Sequence, residues 1–325
     1  MTKNPISIVV HGISTIDEIP EFGTIANSIP ICCAPTLKAL REALPGSTIL
    51  LGWNYRASEL REAWDTVDNL RWIHWAGAGV DAVLFPKLIK SNIVLTNMRG
   101  IFDRAIAEYV LGLVLAFAKD LPGTLNAQRE LRWAHRLSEC IVGGEVLIVG
   151  VGGIGRAIGR ILGSVGCTVR GVGRSARAGG SDFSSISGRE DLNQLLRNAD
   201  YVVVAAPLTK ETRGLFSDTQ FSSMKPTARL INIGRGLLID ENALVSALQK
   251  KLIAGAALDV FQTEPLPVNS PLWKMPNVIV SPHMSGDYKE HKSAMARLFL
   301  ENLHRYTNNA PLINIVDKTL GFVPS

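Results

Sequence analysis

The sequence predicts an α/β chain of two doubly wound parallel-sheet domains, and three observations carry that expectation. Short β-branched runs alternate with helix-period patterns almost throughout, as in parallel sheets covered by helices. The chain has 325 residues, too many for one ordinary core and suited to two. A glycine-rich turn, Gly150 to Gly155, stands between an apolar run and a helical pattern.

In the first hundred residues the expected strands are Ile6–Val10, Ile31–Cys33, Thr48–Leu51, Trp72–Trp75 and Ile93–Thr96. Pro30 leads into the second, which suits a strand start or a sheet edge. Helical patterns fall between them, at Thr36 to Ala43 and Ala57 to Asp65. A long helix follows, Phe102 to Ala118. Ile106, Val110, Leu113, Val114 and Phe117 form one stripe, and Leu111 and Leu115 make the helix apolar nearly all round. Such a helix is expected between layers, here as a bridge between domains and as a subunit contact. The second series has strands at Val146–Val149, Thr168–Val172, Tyr201–Ala205, Arg229–Ile233, Ala254–Leu258 and Val278–Val280. A last helix, Lys289 to Tyr306, is placed to return to the first domain.

Composition excludes several classes. The chain is 46% hydrophobic and 19% charged, which is globular rather than disordered. Its formal charge of +5 suits an enzyme that handles anions, and it lacks the clustered stripe that nucleic acid requires. Cys32, Cys33, Cys140 and Cys167 form no CxxC pair, so no structural zinc and no disulfide scaffold is expected. They read as buried thiols in a reducing cytoplasm. Met1 to Ile13 does not read as a signal peptide. The longest apolar stretch, Ala105 to Ala118, contains Glu108 and is too short to span a bilayer. No metal, membrane or nucleic-acid partner is expected.

Gly150-Val151-Gly152-Gly153-Ile154-Gly155 is weak as a bare GxGxxG. Between the strand Val146–Val149 and a helix from Ile154 to Val165, it becomes a dinucleotide fingerprint. Gly150 permits the tight turn, Gly152 lets the main chain approach a pyrophosphate, and Gly155 allows close helix–strand packing. The diphosphate would sit on the helix N-terminal amides. The end of the next strand selects the cofactor. A domain preferring NAD usually carries a carboxylate there. Here Val172-Gly173-Arg174-Ser175 has none, and none follows until Asp182. Arg174, Ser175 and Arg177 suit a 2′-phosphate, so NADP(H) is expected in preference to NAD(H).

Three further segments follow strand ends, where open α/β sheets bind ligands. They are Asn232-Ile233-Gly234-Arg235-Gly236, Asp259 through Glu264-Pro265, and Ser281-Pro282-His283-Met284-Ser285-Gly286. They supply one Arg, one Glu and one His. Alone, each has an ordinary structural explanation. Together they suit reduction of a 2-keto acid: Arg holds the carboxylate and polarises the ketone, and His gives a proton to the oxygen. A carboxylate beside the His favours its protonated form and fixes the ring.

The ordered series of GxGxxG, Asn-x-Gly-Arg-Gly, Leu-Asp-Val-Phe-x-x-Glu-Pro and Ser-Pro-His-x-x-Gly resembles the D-isomer-specific 2-hydroxyacid dehydrogenases. Gly77-Ala78-Gly79-Val80-Asp81 and Ala107-Glu108 extend the resemblance over most of the chain. It implies that Arg235 binds the substrate carboxylate and carbonyl, that His283 is the acid in reduction, and that Glu264 pairs with its imidazole. Main-chain amides of Ala78 and Gly79 help hold the carboxylate. Asp259 lies near the nicotinamide carboxamide, Pro207 beside the adenosine and ribose, and Ile233 on the nicotinamide side. The candidate cofactor set is Gly150, Gly152, Gly153, Ile154, Gly155, Arg174, Ser175, Arg177, Pro207, Ile233, Asp259, His283 and Ser285. Trp53 and Tyr55, after the third strand, are candidate substrate contacts, with Trp75, Met284 and Arg99 as weaker ones.

The family fold implies a flavodoxin-like substrate domain of residues 1–98 plus 289–325, with a Rossmann cofactor domain inserted at 99–288. It also implies a homodimer through the Phe102–Ala118 helix and the loop to about Arg136. At Gly173-Arg174 the chain departs from the family's NAD users and is similar to its NADPH-dependent glyoxylate and hydroxypyruvate reductases. The expected activity is NADPH-linked reduction of glyoxylate, hydroxypyruvate or pyruvate to the D-2-hydroxy acid where the product is chiral. The alternatives are an NAD-preferring dehydrogenase, a formate- or phosphite-type oxidase, and a dinucleotide-sensing corepressor on the same fold.

Overall fold

A computed structural model describes residues 6–324; Met1 to Pro5, which open the Met1 to Ile13 segment read above, and Ser325 lie outside it. The elements in chain order begin with β1 (Ile8–His11), β2 (Ile31–Ala34), α1 (Leu37–Ala43), β3 (Ile49–Gly52), α2 (Glu59–Glu62), β4 (Trp72–Trp75), α3 (Pro86–Lys90) and β5 (Val94–Asn97). Next come α4 (Asp103–Ala118), α5 (Leu121–Arg129), β6 (Glu145–Val149), α6 (Gly153–Ser164), β7 (Thr168–Val172), β8 (Ser185–Ser187), α7 (Leu192–Leu196) and β9 (Tyr201–Val204). The chain ends with α8 (Asp218–Ser223), β10 (Arg229–Asn232), α9 (Glu241–Gln249), β11 (Gly255–Leu258), β12 (Val278–Val280) and α10 (His291–Thr307).

The chain divides into two compact units. One runs to Phe102 and resumes at Tyr288; the other is Asp103–Asp287. Residues 99–102 stay with the first because Ile101 N–H donates to Met98 O and Asn314 Nδ2 donates to Arg99 O.

The first unit holds a five-stranded sheet, β2-β1-β3-β4-β5, parallel throughout. Successive side chains alternate between its faces. Val9, Leu50, Ile73 and Leu95 face one core with Leu40, Leu60 and Leu88. Ile8, Val10, Ile49, Leu51 and Trp72 face the other, which α10 closes with Ala296, Phe299 and Leu303. Trp72 stacks on Phe299 and on Tyr306, each with centroids 5.4 Å apart. The last helix thus packs on the first sheet, as its position beyond the final strand predicts.

Beneath this stack lies His74, fully buried. Its Nδ1 is 2.6 Å from Thr96 Oγ1, and Trp72 Nε1 donates to the same oxygen at 2.8 Å. Burial pushes its pKa down to about 3. The C-terminal tail covers the outer edge of β5: Val316 N–H donates to Leu95 O at 2.8 Å, and Thr96 bridges Ile315 antiparallel.

The second unit holds a seven-stranded parallel sheet, β12-β11-β10-β9-β6-β7-β8. Leu147, Val149, Val202, Val204, Leu230 and Leu258 build one core face. The strand order reverses between β6 and β9, so the carboxyl ends of those strands form a ligand-binding crevice.

The structure adds two elements that the apolar pattern does not announce. β8 reads Ser-Ile-Ser and has no apolar run; it forms because Gly171 and Val172 of β7 offer it an edge. α5 carries Pro122 and Gly123 in its first turn, where Pro costs no hydrogen bond, and Asp120 caps it by accepting Gly123 N–H. The expected helix from Ala57 to Asp65 is shorter, α2 followed by a 3₁₀ turn at Trp64–Thr66. The thiols are not uniformly buried. Cys32 is exposed because it faces outward on the edge strand β2, and Cys140 because it lies on an extended surface segment; Cys167 is buried. Among the described residues no helix is long and apolar enough to cross a membrane.

Candidate active site

The glycines of the first βα turn each meet a different constraint. Gly150 has φ +109°, and a Cβ there would lie 2.5 Å from Ala205 C, on the neighbouring β9 end. Only glycine fits both demands. A Cβ on Gly155 would overlap Gly150 O, so the helix can start this close to the strand only without a side chain. Around Gly152, the N-cap of α6, a Cβ would meet nothing within 4 Å. Gly152 therefore presents main chain over open space, as an approaching pyrophosphate needs, whereas a Cβ on Gly153 would lie 2.5 Å from Asp103 Oδ2. Gly153 and Ile154 form the first turn of α6.

Beyond β7, Arg174, Ser175 and Arg177 are exposed, with Arg177 tied by its N–H to Ile186 O at 3.0 Å. The first carboxylate after β7 is engaged elsewhere. Asp182 is bound by Arg156 at 3.2 Å and Arg160 at 3.1 Å. Burial alone would raise its pKa, but these arginines hold it below the ordinary carboxylate value. Pro207 is exposed just past β9 and Ile233 is buried just past β10.

Arg235 follows β10. Asn232 shapes its turn: Oδ1 accepts Gly234 N–H and Nδ2 donates to Arg235 O, both at 3.1 Å. Gly236 has no room for a Cβ, which would overlap Phe261 main chain. The β10 and β11 loops thus run in contact, the first carrying Arg235 and the second Glu264.

Glu264 Oε1 accepts Phe261 N–H at 3.0 Å, which fixes the carboxylate. Its Oε2 lies 2.7 Å from His283 Nδ1. The pair is partly exposed, with side-chain exposures of 27% and 22%, so it remains reachable from solvent. His283 has φ +54°, a left-handed conformation unusual for a side chain of this size. Asp259 holds it there. Its buried carboxylate, 1% exposed, accepts Ser281 Oγ–H at 2.7 Å, Met284 N–H at 2.9 Å and Ser285 N–H at 2.9 Å. Two successive amides around a left-handed residue make an anion nest, here filled by the protein's own carboxylate. Tyr109 on α4 extends the chain by hydrogen-bonding Ser281; burial, with Asp259 adding, raises its phenol pKa.

The structure therefore brings Arg235, Glu264, Asp259, His283 and Ser285 to the carboxyl edge of one sheet, at strands β10, β11 and β12. In the first unit, Ala78 and Gly79 follow β4 and are half-exposed. Trp53 packs against the core that α10 closes, and Trp75 is wholly buried in the opposite core. Met284 is exposed. Arg99 donates to Val323 O at 3.4 Å and Pro324 O at 3.0 Å, so the tail holds it. Sequence reasoning missed Asn232, Ser281 and Tyr109. The first two stand inside quoted motifs and could have been found there; Tyr109 carries no local signal.

Among the described residues no group of three or more His, Cys, Asp or Glu side chains is arranged to hold a metal ion.

Comparison with known proteins gives a consistent picture. The family described as D-isomer specific 2-hydroxyacid dehydrogenase, NAD binding domain, matches residues 111–285. A glyoxylate reductase of Thermofilum pendens is 35% identical over 248 residues, 74% of this chain and 73% of the relative. A glyoxylate/hydroxypyruvate reductase B of Salmonella schwarzengrund is 35% identical over 245 residues, 74% of this chain and 75% of the relative. A D-isomer specific 2-hydroxyacid dehydrogenase from Xanthobacter autotrophicus Py2, solved in complex with NADPH and MES, superposes with a TM-score of 0.81 at 30% identity. That match covers 98% of this chain and 100% of that one.

Proposed function

The chain belongs to the D-isomer-specific 2-hydroxyacid dehydrogenase family, and from that premise we propose that it is an NADPH-dependent reductase of small 2-keto acids of the glyoxylate, hydroxypyruvate or pyruvate type. The observation that carries this reading is the His283–Glu264 pair at 2.7 Å beside the Arg235 loop. Relatives named as glyoxylate and hydroxypyruvate reductases support the substrate class.

In this reading Arg235 binds the substrate carboxylate and polarises the carbonyl, with the Ala78 and Gly79 amides as further donors to the carboxylate and Trp53 as a side-chain contact. His283 carries the transferable proton on Nε2, because Nδ1–H is committed to Glu264. That proton passes to the carbonyl oxygen as it becomes a hydroxyl. Asp259 keeps the His283 main chain in its unusual conformation, separately from the contact with a nicotinamide carboxamide that the resemblance implies. The dinucleotide would lie on Gly150, Gly152, Gly153, Ile154 and Gly155, with Pro207, Ile233 and Ser285 along its length. When bound, the reduced nicotinamide supplies the hydride.

NADP(H) is favoured over NAD(H). Arg174, Ser175 and Arg177 stand where a carboxylate would select NAD, and Asp182 is held by two arginines. The unit ending at Phe102 and resuming at Tyr288 is assigned the substrate, and Asp103–Asp287 the dinucleotide. Residence in the cytoplasm is part of the proposal.

A homodimer is part of the proposal. Leu131, Trp133 and Leu137 are 95%, 98% and 93% exposed. Their segment is nonetheless anchored: Arg136 binds Asp120 at 2.6 Å, and Arg229 grips Glu139 with two bonds of 2.7 Å. An anchored display of large apolar side chains fits a second copy of the chain. Sedimentation should give a dimer; a clean 35.2 kDa species would refute it.

The functional test is turnover of a panel of 2-keto acids with NADPH and with NADH. Loss of NADPH absorbance with glyoxylate or hydroxypyruvate is expected. A corepressor would bind NADPH without consuming it.

A further inference from the structure

β5 ends in Asn97, which is 2% exposed and outside every motif quoted above. Its Nδ2 donates to Ala78 O at 2.6 Å. The next residue, Met98, donates its N–H to Gly77 O at 3.1 Å. These two bonds reach consecutive peptide groups from the β5 side. A peptide is planar and trans, so its N–H points opposite its C=O. The plane carrying Gly77 O also carries Ala78 N–H, and the plane carrying Ala78 O carries Gly79 N–H. Holding the two carbonyls therefore fixes the aim of the two amides. Neither amide donates to an acceptor among the described residues, although both residues are half-exposed. A main-chain donor in that position calls for water or a ligand.

The Asn97 carboxamide cannot be reversed. Its Oδ1 accepts Arg99 N–H at 3.1 Å, so flipping the group would lose a donor at one end and an acceptor at the other. The C-terminal tail braces it. Asn97 N–H donates to Asn314 O at 3.3 Å, and Asn314 Nδ2 donates to Asn97 O at 3.3 Å and Arg99 O at 2.8 Å.

We propose that Asn97 is a positioning residue for the substrate carboxylate: by holding the Ala78 carbonyl it aims the Ala78 and Gly79 amides as an anion-binding pair, with Asn314 as its brace. The inference rests on the reading that these amides receive the carboxylate. It assigns to Asn97 preference for a charged over a neutral carbonyl substrate, not the reduction step.

The test compares glyoxylate with methylglyoxal, a similar carbonyl compound without a carboxylate, in wild type, Asn97→Asp and Asn97→Ala. Asn97→Asp is isosteric and keeps the acceptor for Arg99 while removing the donor to Ala78. The expected result is a fall of ~10-fold or more in the glyoxylate/methylglyoxal ratio of kcat/KM, the loss of roughly one hydrogen bond to a charged group. It should come through KM for glyoxylate, with NADPH affinity unchanged. A purely structural role would lower both substrates together. A wild-type ratio in a folded variant overturns the proposal. If neither Asn97 variant folds, Asn314→Ala, which loosens the brace from the tail, is read the same way. A wild type with no preference for glyoxylate would instead overturn the carboxylate reading itself.

Discussion

His283 Nδ1 lies 2.7 Å from Glu264 Oε2, and the other oxygen of that carboxylate is fixed by Phe261 N–H at 3.0 Å. One side of the imidazole is thereby set by a group that is itself immobilised, and in the proposed reading Nε2 is the position for proton transfer. His283→Ala should lower kcat by ~10²–10⁴-fold, the usual contribution of a positioned acid. NADPH binding, followed by fluorescence, should be retained. Glu264→Gln, which can still accept Phe261 N–H, should give a smaller loss. Activity within a few-fold of wild type in His283→Ala would show that the acid is another group.

Arg174 is the test of cofactor choice. Removing a bond to a charged phosphate costs about 1.5–3 kcal/mol. Arg174→Ala should therefore lower kcat/KM for NADPH by ~10–100-fold and leave NADH nearly unchanged. Equal wild-type values for the two cofactors would remove the basis for an NADPH preference.

The chain Tyr109–Ser281–Asp259 converges on the loop that carries His283. Ser281→Ala should lower kcat by ~10-fold, equivalent to about 1.4 kcal/mol in the barrier. Tyr109→Phe should have a weaker effect in the same direction. Because the hydrogen bond of Tyr109 goes to Ser281, which in turn binds Asp259, the double variant should be little worse than Ser281→Ala alone. Strictly additive losses in kcat would show that the two residues act separately.

His74 makes acid stability predictable in sign. Its pKa falls from 6.5 to about 3 on folding. Above pH 6.5 it is neutral in both states and contributes no slope. Below that, the unfolded chain takes up a proton that the native state refuses, so stability is lost as pH falls from 6.5 toward 3. The slope is about 1.4 kcal/mol per pH unit for this one group. Urea unfolding between pH 7 and pH 4 should decline more steeply in wild type than in His74→Gln. Parallel curves would mean that His74 is protonated in the folded protein.

Much of this architecture is readable along the chain because parallel strands are buried on both faces. Ile49–Gly52 and Tyr201–Val204 are continuous apolar runs for that reason. Gly150 and Gly155 are legible because close main-chain approaches tolerate no other residue. The shorter pieces are not. Ser185–Ser187 is a strand only because an edge is offered to it. Leu131, Trp133 and Leu137 are apolar yet almost fully exposed, so a pattern rule would bury them. Asn97 and Tyr109 act through single bonds to groups distant in sequence, Ala78 O and Ser281, and no spacing rule marks such pairs. Asn232, by contrast, bonds within its own turn, and its motif names it.

The first unit is interrupted between β5 and α10 by the whole of Asp103–Asp287. During synthesis, β1 to β5 leave the ribosome long before Phe299 and Leu303 exist to cover Trp72. At ~5–20 residues per second, the inserted unit alone takes roughly 10–40 s to make. Until α10 and the tail emerge, one face of the nascent five-stranded sheet lacks its cover and β5 lacks its edge partner. A chain truncated after Asp287 should therefore be cut by protease in the first hundred residues and protected in the inserted unit.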